Sequence, residues 1–459
     1  MDFAKCTEGH GMQRSFFARH SFFNYLERVQ PQAAMLLLAV IGGLGLVGML
    51  SPWDYNVLPA VPLLELAVLL LSLLVFPPKG RGAWAFMLFA GVYLAVTLVI
   101  ATFVSHAHIL DYLQAYKAFF YLGLLCCFID KPLFKKEVLA KFFYVLVSLF
   151  LIKYGYSRVI DLGVWVSIRP GVFTENNFEL VLLILLLYLV LPAVRWRFLA
   201  FAAVMLIIFL SGSRSAFLCF AVVYFFSVFR LGKSFIKQWL LLFPLLVLLA
   251  YGIVSDRMDI SIGGGGGTTV QAPSMPAPEE RQGSVTSPES ADAGEQEPLT
   301  FRSFLERGAS IDRVRFLLYF LDETEDWHWG NVLLGTQPLT PLSVQTCEDL
   351  SYWSELHSFS GDGSCYSVIL HSYIIRVLYD HGVAGLLFLI VFTVYALRKS
   401  GYSWADTLCV LGVLLASSLS VSAFNSVFAV LSMIFYLSHE RRADSDTLLK
   451  GSERTVQQV

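Results

Sequence analysis

The sequence predicts an all-α polytopic membrane protein of about twelve transmembrane helices with one long loop on the outer side. Three observations carry that expectation. Of 459 residues, 56% are hydrophobic and only 15% charged, giving a mean hydropathy of +0.64; soluble domains carry about 25% charged residues. Apolar runs recur along most of the chain. The turns between them alternate between basic and non-basic. With 33 basic and 35 acidic residues the net charge is −2, so no global field draws the protein to nucleic acid.

The runs lie at 33–50, 58–76, 83–104, 119–129, 142–152, 180–191, 198–210, 216–228, 240–254, 374–396, 405–420 and 424–437. Leu, Phe and Val occupy every face of them, unlike an amphipathic surface helix. Flanking aromatic and small residues bring the shorter runs to spanning length. The first follows a basic, aromatic segment (1–32, with Arg14, Arg19 and Arg28) without a small-residue cleavage site, and reads as a retained helix.

Orientation follows from the basic residues. Lys79 and Arg81, Lys131 to Lys141, Arg195 and Arg197, Arg230 to Lys237, Arg398 and Lys399, and Arg441 and Arg442 fall in every second turn. The turns at 51–57 and 105–113 hold none. The positive-inside rule then predicts a multi-pass protein with both termini in the cytoplasm. The expected organisation is a cytoplasmic segment (1–32), nine spans (33–254), an outer loop (255–370), three spans (371–438) and a cytoplasmic tail (439–459).

The outer loop has two halves. Residues 263–298 open with five glycines and contain no aromatic residue, a composition unable to bury enough apolar area to order itself. Residues 301–370 regain aromatic and aliphatic residues and are expected to form a small ordered cap. Cys347 and Cys365 are the only cysteines of the loop, and the sequence predicts a disulfide between them. Cys126, Cys127, Cys219 and Cys409 sit within spans as small apolar fillers.

Outer turns should be poor in arginine, so those present invite a reason. Arg169 lies in Arg169-Pro170-Gly171-Val172-Phe173-Thr174-Glu175-Asn176-Asn177, and Arg214 in Ser211-Gly212-Ser213-Arg214-Ser215. Arg313 and Arg315 open the ordered half of the loop, and His371 opens the tenth span. Guanidiniums present fixed forks of donors suited to phosphate oxygens. The competing reading is a set of snorkelling anchors for headgroups, and for His371 an interfacial histidine. His106, His108, His328, His357 and His381 are further outer-side histidines. There is no HExxH, CxxC, Walker loop or GxSxG. Asp444-Ser445-Asp446 lies in the polar tail, and the acidic run 322–326 reads as a solvated turn. No metal or other cofactor is expected.

These stretches carry a resemblance. His371-Ser372, nine residues, Gly382, two residues and Gly385 resemble the histidine motif of the bacterial O-antigen ligase and O-antigen (exopolysaccharide) polymerase family of membrane glycosyltransferases. The turn around Arg214 resembles the Ser-Arg-Gly/Ser signature of that family. The stretch from Arg169 to Asn177 is similar to its Gly-x-Phe-x-x-x-Asn element. Arg313 with Leu334-Gly335-Thr336 resembles its Arg and Leu-Gly-x-Gly arrangement, with Thr336-Gln337 where a second glycine is usual. The resemblance runs from about Arg169 to the last span; the insert 263–298 carries no motif.

The resemblance implies a C-type, metal-independent glycosyltransferase without cofactor, acting at the periplasmic face on an undecaprenyl-pyrophosphate-linked oligosaccharide. Arg214 and Arg313 or Arg315, supported by Arg169, would hold the pyrophosphate. His371 would act as general base or positioning donor, with Glu175 a second base candidate. The implied partners are the lipid-linked donor, a glycan or lipid acceptor, the bilayer, and flippase and chain-length regulator proteins. Two reactions stay open: polymerisation of repeat units of a surface polysaccharide, narrowly favoured, and ligation of the glycan to lipid A core. A transporter or flippase without chemistry is the reading from another class. The sequence shows no inverted halves or Gly/Pro-broken helices at the bilayer midplane to support it.

Overall fold

In hydrocarbon a chain must satisfy its own backbone amides, and a helix does so within one segment. The computed structural model describes residues 9–51, 56–160, 171–173, 178–231, 312–351, 357–420 and 423–440, with isolated positions between 236 and 247; for 9–28, 158–160 and 312–313 it describes the backbone alone. Among the described residues there is no β-strand, only two isolated bridges. Five helices are long and apolar enough to cross a membrane. They are α1 (Gly9–Leu50, from Val29), α3 (Arg81–Phe103), α6 (Lys136–Ile160, to Ser157), α9 (Arg214–Leu231) and α13 (Tyr373–Lys399). Shorter apolar helices accompany them: α2 (Ala60–Val75), α5 (Lys117–Leu125, continued by a 3₁₀ turn), α7 (Phe178–Val190), α8 (Arg197–Ser211), α14 (Trp404–Ser418) and α15 (Val427–Ser438). The remaining short helices are α4 (Ile109–Ala115), α10 (Asp312–Glu323), α11 (Trp329–Leu334) and α12 (Val344–Asp349).

Burial sorts these helices by role. α7 is buried on every face and α15 throughout, so both form the centre of the bundle. α3 is the opposite case. It buries only Ala83, Ala90, Thr97 and Ala101, while Leu88, Phe89, Val92, Val96, Val99 and Phe103 stay exposed. An apolar face of that extent is untenable in water. The stripe of small residues lets α3 approach α5 closely, the usual device where lipid competes for apolar contact. α1 buries Ala34, Leu37, Leu38, Ile41 and Leu44 at helical spacing and leaves Met35, Leu36 and Leu46 outside.

Contacts fix helix directions. Phe86 of α3 packs on Phe388, Phe392 and Tyr395 of α13, while Tyr93 bonds His381, so these two helices run antiparallel. Arg230 of α9 pairs with Asp406 of α14 at 3.1 Å, and Cys219 meets Val413, so α9 and α14 are antiparallel too. The two ends of the bundle consequently differ. One gathers the Lys79–Asp130 pair (2.9 Å), Lys131, Arg230 and Arg398 stacked on Trp404. The other gathers the turn before α2, the loop ahead of α13, and the starts of α9 and α13.

Some boundaries depart from the sequence reading. The run 119–129 falls on one helical stretch, α5 with its 3₁₀ turn (Lys117–Phe128), and α4, which no run marks, precedes it across a bend at Tyr116. α6 starts at Lys136 and continues to Ile160, well beyond 142–152, and α1 begins at Gly9 with Pro31 inside it. The ninth run, the insert 263–298 and most of the tail lie outside the described residues.

Candidate functional site

The loop ahead of α13 builds one corner of the site. Phe316 of α10, Leu342, Cys347, Leu350, Cys365, Ile369 and Leu370 form a small core that includes Ile375 and Tyr379 of α13. Cys347 and Cys365 are joined by a disulfide, Cα to Cα 5.6 Å, inside that core. The chain then makes a 3₁₀ turn, Ser367–Leu370, which lies alongside the first turns of α13: Ser367 Oγ donates to Asp380 Oδ2 at 2.6 Å. His371 closes the turn in the left-handed region (φ 36°), uncommon for a residue with a Cβ, and its ring lies 5.4 Å from that of Phe316.

α13 is broken at Gly382, where φ 62° and ψ −169° interrupt the helix. The break receives the end of α11. A Cβ on Gly382 would sit 2.4 Å from the Leu333 carbonyl, and one on Gly335 (φ 83°) would sit 2.5 Å from the His381 amide. The two glycines therefore let two backbones touch. Thr336 then caps the upper segment, donating from N (2.8 Å) and Oγ1 (3.2 Å) to the Tyr379 carbonyl that the break leaves free. Two of the four motif stretches, Leu334-Gly335-Thr336 and Gly382, meet in space.

Immediately above the break α13 buries three ionisable side chains: Arg376 and Asp380, 4% and 6% exposed, and His381. His381 Nδ1 lies 2.8 Å from Tyr93 Oη, and its ring is edge-on to Tyr116 and Phe119 at 4.8 and 4.7 Å. Tyr112 stacks on Tyr116 and bonds Thr97, while Asp111 accepts from Ser358 Oγ at 2.6 Å, tying α4 to the loop. Tyr93, Tyr116, Ser367, Asp380 and His381 thus cluster around the upper part of the break, with Arg376 one turn before Asp380.

The residues singled out from the sequence fall as follows. Arg214 is the first residue of α9 and exposed. Gly212 ends α8 in the left-handed conformation, and Ser213 Oγ accepts from the Ala216 amide to start α9, so the Ser-Gly-Ser-Arg turn is a C-cap followed by an N-cap. Arg214 thereby stands where the free amides of α9 carry partial positive charge. α9 runs against α14, whose following Ser420 carbonyl accepts from the Tyr373 amide, so Arg214 and His371 share one end of the bundle. Arg315 is half-buried on α10 beside Phe316. Arg313 is on the same helix, but its side chain lies outside the described residues. Arg169 and Glu175 also lie outside them.

The stretch carrying those two is nevertheless anchored. Glu179, fully buried in the first turn of α7, accepts from the Val172 amide (2.8 Å), the Phe173 amide (2.6 Å) and Tyr154 Oη (2.7 Å). Val172 also sits against Gly48 of α1, where a Cβ would overlap its carbonyl, and its oxygen accepts from Asn56. Lys153, also buried, donates to the Ser51 carbonyl at 2.5 Å. Glu179, Lys153, Arg376, Asp380 and Tyr93 were not among the residues the motifs identified. The signal was present: ionisable residues inside apolar spans are expensive and mark function or structural ties. Among the described residues no group of three or more His, Cys, Asp or Glu is placed to hold a metal ion. No family model matches this chain, and neither the curated proteins nor the solved structures hold a match.

Proposed function

We propose that the protein is an integral-membrane glycosyltransferase that works on undecaprenyl-pyrophosphate-linked glycans at the periplasmic face of the bacterial inner membrane, most simply as a polymerase of surface-polysaccharide repeats. The observation that carries this reading is the contact between Gly335 and Gly382. It joins two motif stretches that the resemblance treats as parts of one site, and it lies one turn from the charged groups of α13. Arg214 and Arg315 are supported by their place at the end of the bundle opposite the basic turns. In this reading the basic end is cytoplasmic, the chain has twelve spans, and both termini are inside.

The chemistry such a site has to supply is modest in parts and demanding in charge. The glycosyl–phosphate bond breaks as an acceptor hydroxyl attacks the anomeric carbon, and the departing pyrophosphate keeps the electron pair. Fixed guanidiniums at the leaving oxygens stabilise that charge as it develops. His371, with a near-neutral intrinsic pKa, takes the hydroxyl proton or orients the hydroxyl. Replacement of Arg214 or His371 by Ala is expected to abolish transfer with expression and membrane insertion intact; a normal glycan length distribution in the Arg214→Ala strain removes the pyrophosphate role. Lipid-linked single repeats accumulating in a deletion strain indicate polymerase; full polymer stranded on its carrier indicates ligase.

One observation favours the transport reading. α13 is a broken helix with buried Arg376, Asp380 and His381 above the break, a feature used by transporters. The sequence argument against transport, that no helix is broken, does not hold for this helix. Reconstituted vesicles separate the two: lipid-linked glycan that crosses the bilayer unchanged supports transport, and glycan joined to an acceptor supports transfer.

A further inference from the structure

Arg376 is the most exposed inconsistency in the molecule. Its side chain is buried, its Nε is fully enclosed, and among the described residues its guanidinium makes neither a hydrogen bond nor an ion pair. Asp380 stands one turn further along α13, the spacing at which an Arg and an Asp normally meet. Instead its Oδ2 is committed to Ser367 Oγ. A second buried donor nearby also lacks a hydrogen bond: Tyr116 Oη, whose ring lies 4.8 Å from that of His381, while the neighbouring Tyr93 bonds His381. Burying a cation without a hydrogen bond or ion pair costs several kcal/mol, offset only in part by the carboxylate of Asp380 one turn away, and an unsatisfied hydroxyl adds to that. A helix in an apolar bundle keeps such a group only where something else offsets it.

We infer that Arg376 is an anion-binding residue, and that the polar cluster above the Gly382 break receives a phosphate group. Guanidinium has donors only, five of them in a fixed fork, so its natural complement is an oxyanion with several acceptor oxygens. A neutral sugar offers the guanidinium no charge, and a carboxylate ligand uses only part of the fork. Asp380, held away by Ser367, is close enough to limit how tightly the anion binds. The assignment of the phosphate to a pyrophosphate-linked lipid rests on the function proposed above; the anion site itself does not.

The test uses the purified full-length protein in nanodiscs, with inorganic pyrophosphate and geranyl pyrophosphate as probes and thermal stability and titration as readouts. Wild type is expected to be stabilised by both probes, and a larger effect of geranyl pyrophosphate assigns the lipid as the source of the phosphate. Arg376→Met is expected to bind pyrophosphate at least roughly tenfold more weakly, the loss of one or more hydrogen bonds to a charged partner. Asp380→Asn, which keeps the bond from Ser367, should bind pyrophosphate severalfold more tightly, and it decides the matter if Arg376→Met does not fold. The inference is overturned by a wild type indifferent to both probes, by Arg376→Met binding within twofold of wild type, or by Asp380→Asn binding no better. Glycan transfer is measured separately. Transfer by wild type and Arg376→Met alike removes the inference and leaves the proposed function standing. Pyrophosphate binding that depends on Arg376 in a protein without transfer activity does the reverse.

Discussion

Replacing Gly382 with Ala attacks the geometry on which the site depends. The residue holds φ 62° and ψ −169°, a region open to glycine and costing a side-chain-bearing residue about 1–3 kcal/mol. The new methyl would also lie 2.4 Å from both the carbon and the oxygen of the Leu333 carbonyl and 2.5 Å from Gly335 N. All are backbone atoms, so relief requires α11 to retreat from α13 by about 1 Å, an overpacking cost of roughly 1–3 kcal/mol. The expected destabilisation is therefore about 2–6 kcal/mol, measured by denaturant titration of the purified protein in micelles. Retreat of α11 also withdraws Thr336 from the Tyr379 carbonyl, so glycan transfer should fall more than stability alone explains. Gly91→Ala is the control: it lies on α3 with nothing within 4 Å of the added methyl, and helix propensity favours it by up to about 1 kcal/mol. A Gly382→Ala protein within about 1 kcal/mol of the Gly91→Ala protein refutes the close packing of α11 in the break.

Glu179→Leu leaves the Val172 and Phe173 amides and Tyr154 Oη without their acceptor. At about 1–3 kcal/mol for each unsatisfied buried group, a loss of at least roughly 3 kcal/mol is expected in the same titration, and a neutral variant removes the anchoring role. Cys347→Ser, or reduction, opens the disulfide beneath Phe316 and is expected to cost about 2–4 kcal/mol, visible as a lowered Tm that reductant changes in wild type alone. Asp406→Asn is expected to destabilise the packing of α9 on α14 at the basic end of the bundle, because Arg230 there is mostly buried, stacked over Tyr188 and paired with that carboxylate. Arg230→Met with Asp406→Leu should recover most of the loss; failure to recover it removes the pairing argument.

The helical bundle was legible because hydrocarbon imposes one secondary structure and a minimum length, and both appear as apolar runs. The bend at Tyr116 was not legible, since it falls between the apolar runs 83–104 and 119–129 and only the tie of α4 to the loop through Asp111 and Ser358 decides where the chain turns. Arg230 shows the limit of counting basic residues. It lies in the last turn of α9, and its pairing with Asp406 depends on α9 lying against α14, nearly two hundred residues away in the chain. Around the candidate site, the glycine spacing held more than the motif said. Gly382 breaks the helix, and Gly335 matters because it meets that break, a relation no local pattern contains. His371 drew attention through its motif, while Arg376 and Asp380 on the next turns were passed over and His381 counted only as one of several outer-side histidines. A single histidine at a span's edge is a familiar pattern. Three ionisable residues within six positions of an apolar span are rarer and physically more demanding.

The most direct measurement of the proposed function is glycan transfer by the purified protein in proteoliposomes supplied with a pyrophosphate-linked oligosaccharide. The account expects longer glycans, or glycan joined to an added acceptor, released pyrophosphate carrier in equal amount, and loss of both in Arg214→Ala and His371→Ala proteins that insert normally. Intact donor moved across the bilayer without joining, or transfer undiminished in both variants, contradicts it.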